Sequence, residues 1–175
     1  MNSLKICTIN IDGMNSCRKQ DSILDFSRRY NVDILCIQET FIDTYFKSKK
    51  FENNYRCIWR YGSNCSSRVV VIFLNDNLNI KHLHVDFTGR MIYVDFTLDD
   101  EIVYRLVNVY SPVSPGERSD FFNDISRYLV TSNHLILVGD FNFIHNSSVD
   151  KIGGSYSREH VGSNEFKYIQ EQLSW

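Results

Sequence analysis

A hydrophobic strand pattern with a polar end lies at residues 134–142, which run His-Leu-Ile-Leu-Val-Gly-Asp-Phe-Asn. The first five residues form an apolar run of strand length, which predicts a strand buried on both faces. Gly139 lets the backbone turn or approach another group closely. Asp140 and Asn142 lie two residues apart, so an extended backbone would place both side chains on the same side of the strand end. Ligands bind at such strand ends in open α/β sheets.

The first forty residues show the pattern of a strand, a helix and a second strand. Residues 4–10 alternate between apolar and polar and run into a glycine turn, whereas residues 21–30 carry apolar side chains at helical spacing. Residues 32–39 form a second apolar strand pattern with a polar end. Because both strands have polar tips at the same end, the pattern predicts a βαβ unit.

From residue 55 onward the pattern changes to short strands separated by turn signals. This spacing is typical of an antiparallel meander. The predicted strands cover residues 55–59, 69–74, 78–86, 91–98 and 102–109. The pattern of residues 41–50 fits either a short helix or a loop.

Two further helices are predicted in the second half of the chain. Ser114, Pro115 and Glu117 have the spacing of a helix start, with serine as N-cap, proline at the first position and glutamate completing a capping box. Residues 146–162 are rich in serine and glycine and predict a loop, after which a final helix begins near Asn164. A chain that stops just where this helix presents its apolar face is expected to be C-terminally truncated.

Composition predicts one compact domain over residues 1–175, because 43% hydrophobic and 14% aromatic residues suffice for a core. The N-terminus has no signal-peptide pattern, and no apolar run approaches membrane-spanning length, so we expect an intracellular protein. Five cysteines, an odd number without a Cys-x-x-Cys motif, fit reduced thiols. A net charge of −2 is mildly unfavourable for a nucleic-acid-binding protein, which usually has a basic excess.

Carboxylate, amide and phenol side chains recur at the ends of four predicted strands. The candidate site residues are Asn10, Asp12, Glu39, Tyr110, Asp140 and Asn142. Glu39 and Asp12 carry the hard oxygen ligands that Mg²⁺ prefers, with Mn²⁺ as an alternative ion. Asp140 is suited to aligning or deprotonating a water molecule. The catalytic set also includes Asn142, Tyr110 and Asn10, which would bind substrate by donating hydrogen bonds to phosphate oxygens.

Each of these strand ends has a simpler explanation when it is taken alone. Asp and Asn are common at strand ends because they form turns. Tyr110 alone would most often be a core aromatic residue with its hydroxyl satisfied at the rim. Glu39 has no turn preference to explain it, and the recurrence at four strand ends favours a site.

Four motifs of the chain resemble the endonuclease/exonuclease/phosphatase superfamily in order and approximate spacing. They are Asn10-Ile11-Asp12-Gly13, Gln38-Glu39-Thr40, Asn108-Val109-Tyr110-Ser111-Pro112 and Gly139-Asp140-Phe141-Asn142. The chain looks most like the apurinic-type endonuclease domain of LINE-type (non-LTR) retrotransposons, to which residues 150–155 are also similar.

This resemblance implies an α/β fold, a four-layer α/β/β/α sandwich of two mixed sheets, and Mg²⁺-dependent cleavage of a phosphodiester bond. In retrotransposon members it implies nicking of genomic DNA in the nucleus to prime a downstream reverse transcriptase domain. Glu39 would be the metal ligand, with Asp12 assisting. Asp140 would position the nucleophile, Asn142 and Asn10 would contact substrate and water, and Tyr110 would contact the phosphate.

The family pattern continues into further strands that carry another aspartate and a Ser-Asp-His motif, and this segment does not occur in the chain. The domain is therefore expected to lack its C-terminal strands and to show weak or absent activity as an isolated fragment. A phosphatase or an RNA-directed nuclease of the same superfamily is an alternative function. A non-catalytic remnant of the domain is an alternative of another class.

Overall fold

The computed structural model describes residues 3–42, 45–59, 67–99, 101–144 and 163–173. The chain divides into two compact units, the first formed by Met1–Tyr110 with Asn133–Asp140 and the second by Ser111–Ser132 with Phe141–Trp175. Within the described ranges, no helix combines the length and the apolar character needed to cross a membrane. The loop predicted at residues 146–162 and the motif at residues 150–155 lie outside the described residues.

The first sheet begins with the predicted βαβ unit, which the structure confirms. Strands β1 (Ile6–Asn10) and β2 (Ile34–Ile42) are parallel, with Asn10 opposite Gln38. Helix α1 (Cys17–Tyr30) connects them and begins four residues earlier than predicted, because the Ser16 side chain caps it by accepting a hydrogen bond from the Lys19 N–H at 3.2 Å. The polar ends of β1 and β2 therefore lie side by side.

The first sheet is completed by two antiparallel strands. Residues 41–50 were predicted as either a short helix or a loop, and the structure has helix α2 (Tyr45–Glu52) there. Strands β3 (Arg56–Ile58) and β4 (Ser67–Phe73) follow it. The strand order is β1-β2-β4-β3, and β4 runs antiparallel to both of its neighbours. The sheet is therefore mixed.

The second sheet contains the four remaining strands of the first unit. They are β5 (Asn79–Val85), β6 (Met91–Thr97), β7 (Val103–Tyr110) and β8 (His134–Asp140), hydrogen-bonded in that order. Strands β5, β6 and β7 form an antiparallel meander, whereas β7 and β8 are parallel with Tyr110 opposite Asp140. The predicted α/β class with two mixed sheets is confirmed.

Two expectations about the strands were wrong. The predicted five-strand meander is divided, because β3 and β4 pair in the first sheet and only β5, β6 and β7 form the meander of the second. Strand β8 was predicted to be buried on both faces, but the side chains of residues 135–140 are only partly buried. The reason is its position as the last strand of the sheet among the described residues.

The core of the first unit has two apolar layers. One lies between the facing sheets and includes Ile34, Val71, Phe73, Phe96 and Leu106, all fully buried. The other lies on the opposite face of the first sheet, where Leu24 of α1 and Phe51 of α2 pack with strand residues. Together these layers hold the strand ends of the first unit in fixed positions.

The second unit contains the two predicted later helices, α3 (Pro115–Leu129) and α4 (Ser163–Gln172). Proline occupies the first turn of α3 as expected, but the Ser114 side chain makes no capping hydrogen bond, so the predicted capping box is wrong. Five phenylalanine rings cluster in this unit, with centroid separations of 5.2–6.4 Å. They are Phe121, Phe122, Phe141, Phe143 and Phe166.

Gly139 permits the close approach of β8 to β7. Its φ is +141°, and a Cβ atom at this position would lie 2.0 Å from the Val109 carbonyl oxygen. Any side chain would therefore push apart the two strands that carry Tyr110 and Asp140.

We expect Gly139→Ala to lower the free energy of unfolding. The strained φ alone should cost about 1–3 kcal/mol, and the clash with Val109 should add to this loss. Urea-induced unfolding followed by circular dichroism would measure the effect.

Gly116→Ala is the matched control for this experiment. Gly116 lies in the first turn of α3 with a helical φ, and no heavy atom lies within 4 Å of a Cβ built there. Alanine should be neutral or stabilise the helix by up to ~1 kcal/mol. Equal urea midpoints for the two variants would contradict the close approach at Gly139.

Candidate active site

The candidate site lies at one edge of the two sheets of the first unit. Asn10, Tyr110 and Asp140 are the last residues of β1, β7 and β8, and Glu39 lies near the end of β2. Parallel pairing of β1 with β2 and of β7 with β8 aligns the carboxyl ends within each sheet. Hydrogen bonds between the sheets then join these ends in two pairs.

The first pair consists of Asn10 and Asp140. The Asn10 Nδ2 amide donates to Asp140 Oδ2 at 2.7 Å across 130 residues of sequence. The amide is itself oriented, because its Oδ1 accepts a hydrogen bond from the Asp12 backbone N–H at 3.2 Å. The donated hydrogen bond fixes the orientation of the Asp140 carboxylate.

The second pair consists of Glu39 and Tyr110. The Tyr110 hydroxyl donates to Glu39 Oε1 at 2.6 Å, and the tyrosine side chain is 5% exposed. Burial, together with the hydrogen bond and the negative charge of Glu39, raises the pKa of Tyr110 to about 12, although Arg90 and Arg68 oppose the shift. The phenol therefore stays protonated near neutral pH and remains a hydrogen-bond donor.

The backbone that carries the two candidate metal ligands is in a strained conformation. Asp12 has a φ of 47° and Glu39 a φ of 55°, and the pairing of β2 with β4 is interrupted between Gln38 and Ile42. The Gly13 N–H donates to the Glu39 carbonyl oxygen at 2.6 Å, which makes the two segments close neighbours. Left-handed conformations of non-glycine residues are costly and cluster at functional sites.

These residues fit a hard divalent cation by the chemistry of their donor atoms. Glu39 and Asp12 supply carboxylate oxygens, and the only hydrogen bond to the Glu39 carboxylate within the described part of the chain is the one from Tyr110. No group of three or more His, Cys, Asp or Glu side chains in the described ranges is arranged as a metal site. Mg²⁺ does not require such a group, because it commonly uses one or two protein carboxylates and keeps several waters.

Asn142 belongs to the second unit, where its Nδ2 amide donates to the Ser111 carbonyl oxygen at 2.8 Å. Its φ of 50° shows that the backbone does not stay extended beyond Asp140, which ends β8. The extended backbone that would place the Asp140 and Asn142 side chains on one side is therefore not present beyond Asp140.

Two buried amides support the site, and their role was missed from the sequence. Gln38 Nε2 donates to Asn108 Oδ1 at 2.6 Å and to the Thr8 hydroxyl at 3.0 Å. Asn108 Nδ2 donates to the carbonyl oxygens of Val70 at 2.9 Å and Ile37 at 3.3 Å. Gln38 immediately precedes Glu39 on β2, and Asn108 lies two residues before Tyr110 on β7. Each is a polar residue inside an apolar strand, and this is the signal from which the sequence could have indicated a buried hydrogen-bonding role.

Arg90 is a further site neighbour that the sequence did not indicate. Its guanidinium carbon lies 5.1 Å from the centroid of the Tyr110 ring, and its Nη1 donates to the Tyr110 carbonyl oxygen at 3.2 Å. The Tyr110 N–H in turn donates to the Arg90 carbonyl oxygen at 2.8 Å. Arg90 thus holds both the backbone and the ring of Tyr110.

The first unit has an α/β fold with two mixed sheets. Acid, amide and phenol groups are hydrogen-bonded in pairs at one edge of these sheets. The model of the Endonuclease/Exonuclease/phosphatase family matches residues 7–171, and the chain belongs to this family. The resemblance inferred from the four sequence motifs is confirmed.

The chain is similar in sequence to a transposon protein and in fold to an AP endonuclease and to TDP2. The chain is 27% identical over 147 residues to the "Transposon TX1 uncharacterized 149 kDa protein" of Xenopus laevis, covering 81% of this chain but only 11% of that protein. The AP endonuclease LMAP from Leishmania major is similar with a TM-score of 0.75 and 17% identity, over 97% of this chain and 66% of that one. TDP2 from D. rerio, complexed with a single-strand DNA product, has a TM-score of 0.62 and 16% identity, over 88% and 66% of the chains. The two solved structures share the fold.

We expect Asn108→Asp to destabilise the first unit, because an acceptor would replace the donor that faces two carbonyl oxygens. The loss should be about 1–3 kcal/mol for each carbonyl left without a donor. The deficit relative to wild type should shrink at low pH, where a protonated carboxyl group can donate one hydrogen bond. Urea unfolding at several pH values would measure it.

Asn54→Asp is the control, because the exposed Asn54 amide donates to a single carbonyl oxygen, that of Lys50, at 2.8 Å. Its effect should stay within about 0.5 kcal/mol. Equal losses for the two variants, or a loss at Asn108 that does not vary with pH, would refute the role assigned to this amide.

Proposed function

We propose that this chain is a Mg²⁺-dependent DNA endonuclease domain of a retrotransposon protein and that it hydrolyses a phosphodiester bond. One observation carries the proposal: the Asn10–Asp140 and Glu39–Tyr110 hydrogen bonds bring an oriented carboxylate, a second carboxylate and a protonated phenol to one sheet edge. Family membership and the transposon relative support it.

Asp140 is the proposed residue that positions the nucleophile. Its Oδ2 accepts from Asn10, so the carboxylate is held in one orientation and is suited to accept a hydrogen bond from a water molecule. Asn10 and Asn142 are also proposed substrate contacts. Removing a proton from the attacking water would leave it on the Asp140 carboxyl group.

Tyr110 is the proposed phosphate contact. Its hydroxyl remains protonated because its pKa is about 12, and when substrate binds it would exchange its single donated hydrogen bond, which Glu39 accepts in this structure, for one to a phosphate oxygen. Its position is fixed by Glu39 at the hydroxyl and by Arg90 at the ring.

Glu39, with Asp12 assisting, would hold Mg²⁺, with Mn²⁺ as an alternative. When bound, the ion supplies positive charge that neutralises the phosphodiester and the charge that develops during cleavage. The negative charge of Glu39 and the strained placement of both residues at the same edge support this assignment.

The proposed biological step is the nicking of genomic DNA to prime reverse transcription, which would take place in the nucleus. The chain spans 11% of the transposon relative, and a downstream reverse transcriptase domain is part of this proposal. DNA is the proposed partner, in keeping with the DNA product bound to the structurally similar TDP2.

We expect Mg²⁺ to raise the melting temperature of the chain, because a ligand that binds only the folded state stabilises it. Each ~1 kcal/mol of stabilisation should raise Tm by about 2–4 °C for a chain of this size. Glu39→Gln should abolish most of the shift, whereas Glu101→Gln, which removes an exposed carboxylate in a turn, should leave it unchanged. Equal shifts in both variants would exclude Glu39 as the ligand.

Nicking of supercoiled plasmid tests the activity directly, in the longest native polypeptide that contains this chain. Asp140→Asn should reduce the Mg²⁺-dependent rate by about 10²–10⁴-fold, the usual contribution of a general base. Asp124→Asn, on the exposed face of α3, is the control and should nick like wild type.

Parallel assays with RNA and with phosphomonoester and inositol phosphate substrates separate the alternatives within the superfamily. Preferred cleavage of any of these over DNA would replace the proposed substrate. Absence of both nicking and a Mg²⁺ effect would favour a non-catalytic remnant.

A further inference from the structure

The turn between β5 and β6, residues 86–90, lies at the same sheet edge as the candidate site. We call it the β5–β6 arm. Strand β6 runs antiparallel to β7 with Met91 opposite Val109, so the arm adjoins the end of β7 that carries Tyr110. The Tyr110 N–H donates to the carbonyl oxygen of Arg90, the last residue of the arm, at 2.8 Å.

The Asp86 carboxylate holds the β5–β6 arm in one conformation. It accepts hydrogen bonds from the backbone N–H groups of Arg90 and Met91, each at 2.7 Å, and of Thr88 at 3.0 Å. The Thr88 hydroxyl donates to the same carboxylate. Since the arm is already ordered, binding a partner through it would cost little conformational entropy.

The arm presents Phe87, which is the most exposed large apolar side chain in the described part of the structure, at 77%. A single exposed apolar residue needs no functional explanation by itself. Phe87 differs from other exposed apolar residues because it lies on a turn whose conformation is fixed by the Asp86 carboxylate. The same turn contacts Tyr110 through Arg90. Phe87 therefore lies three residues in sequence from Arg90, the residue of the arm that contacts Tyr110.

Positive charge lies beside the arm. Arg90 packs over the Tyr110 ring, and Arg68 lies on β4 next to Val69, which pairs with Gln38 at the same edge. The Arg68 backbone nitrogen lies 3.9 Å from the position that a Cβ would take at Gly89 of the arm. A turn that carries an exposed aromatic ring and one arginine, and that adjoins a second arginine, offers both kinds of group that contact a single nucleic-acid strand, which are a stacking surface for bases and positive charge for phosphates.

We infer that the β5–β6 arm is a binding contact for single-stranded DNA, in which Phe87 stacks on an unpaired base and Arg90 attracts the adjacent phosphate. The inference rests on the proposed function, because it names the form of the substrate that this sheet edge accepts. A fully paired duplex keeps its bases stacked inside and offers Phe87 less surface. The arm thus favours sites where the duplex opens.

Binding of a fluorescently labelled oligothymidylate, followed by anisotropy in EDTA to prevent cleavage, tests the stacking contact. Phe87→Ala should weaken binding by about 5- to 100-fold, the usual effect of removing one stacked aromatic ring. Phe87→Leu should bind equally poorly, because it is apolar without a π face, whereas Phe87→Trp should bind like wild type.

The control is Leu83→Ala, which truncates a 52%-exposed apolar side chain on β5 outside the arm. It should bind the oligothymidylate like wild type. For a fully paired labelled duplex, the difference in affinity between Phe87→Ala and wild type should be much smaller than for the single strand.

Salt titrations separate the two contacts of the arm. Arg90→Gln should reduce the slope of log affinity against log salt by about one, as expected for one lost phosphate contact. Phe87→Ala should leave the slope unchanged, because stacking releases no counterions.

Wild-type affinity in Phe87→Ala and Phe87→Leu, or no binding of the oligothymidylate by the wild type, would overturn the inference. The outcome is independent of the test of the proposed function, since no metal is present. Loss of the Glu39-dependent Mg²⁺ effect with intact Phe87-dependent binding would reject the endonuclease proposal alone.

Discussion

The hydrogen bond between Gln38 and Asn108 joins the two sheets of the first unit, and the geometry of the candidate site depends on it. The side chains of Gln38 and Asn108 are 1% and 0% exposed, so each amide must find partners inside the protein. A displacement of one sheet relative to the other would leave these groups unpaired at a cost of about 1–3 kcal/mol each. The same register places Glu39 within reach of Tyr110 and Asn10 within reach of Asp140.

Rigid support and local strain are combined at this sheet edge. The interior below it is apolar and fully buried, whereas β2 leaves regular pairing near Glu39 and the backbone turns into left-handed conformations at Asp12 and Glu39. A regular strand would direct alternate side chains to opposite faces, and the irregular backbone frees the carboxylate from that pattern. Such strain persists because the surrounding packing determines it.

Family membership defines the fold of this chain, whereas the choice of substrate is a separate property. Membership of the Endonuclease/Exonuclease/phosphatase family and the similarity to AP endonuclease and TDP2 structures establish the fold. A shared fold hosts several substrates, so the fold alone does not define the substrate. Arg90 and Phe87 differ in kind from the carboxylates at the sheet edge, because they offer charge and stacking surface without taking part in proton transfer.

The sequence by itself determined the order of the strands, the βαβ unit and the two later helices, because hydrophobic periodicity reports local backbone conformation and burial. It also predicted Asn10, Glu39, Tyr110 and Asp140 as candidate site residues, since acids, amides and a phenol recur where apolar runs stop. Only the tertiary structure decided which groups meet. Alternation marks β3 and β4 as strands but not which sheet they join, and the Asn10–Asp140 contact spans 130 residues. Arg90 reaches Tyr110 through strand pairing, which is a non-local property that no short stretch of sequence encodes.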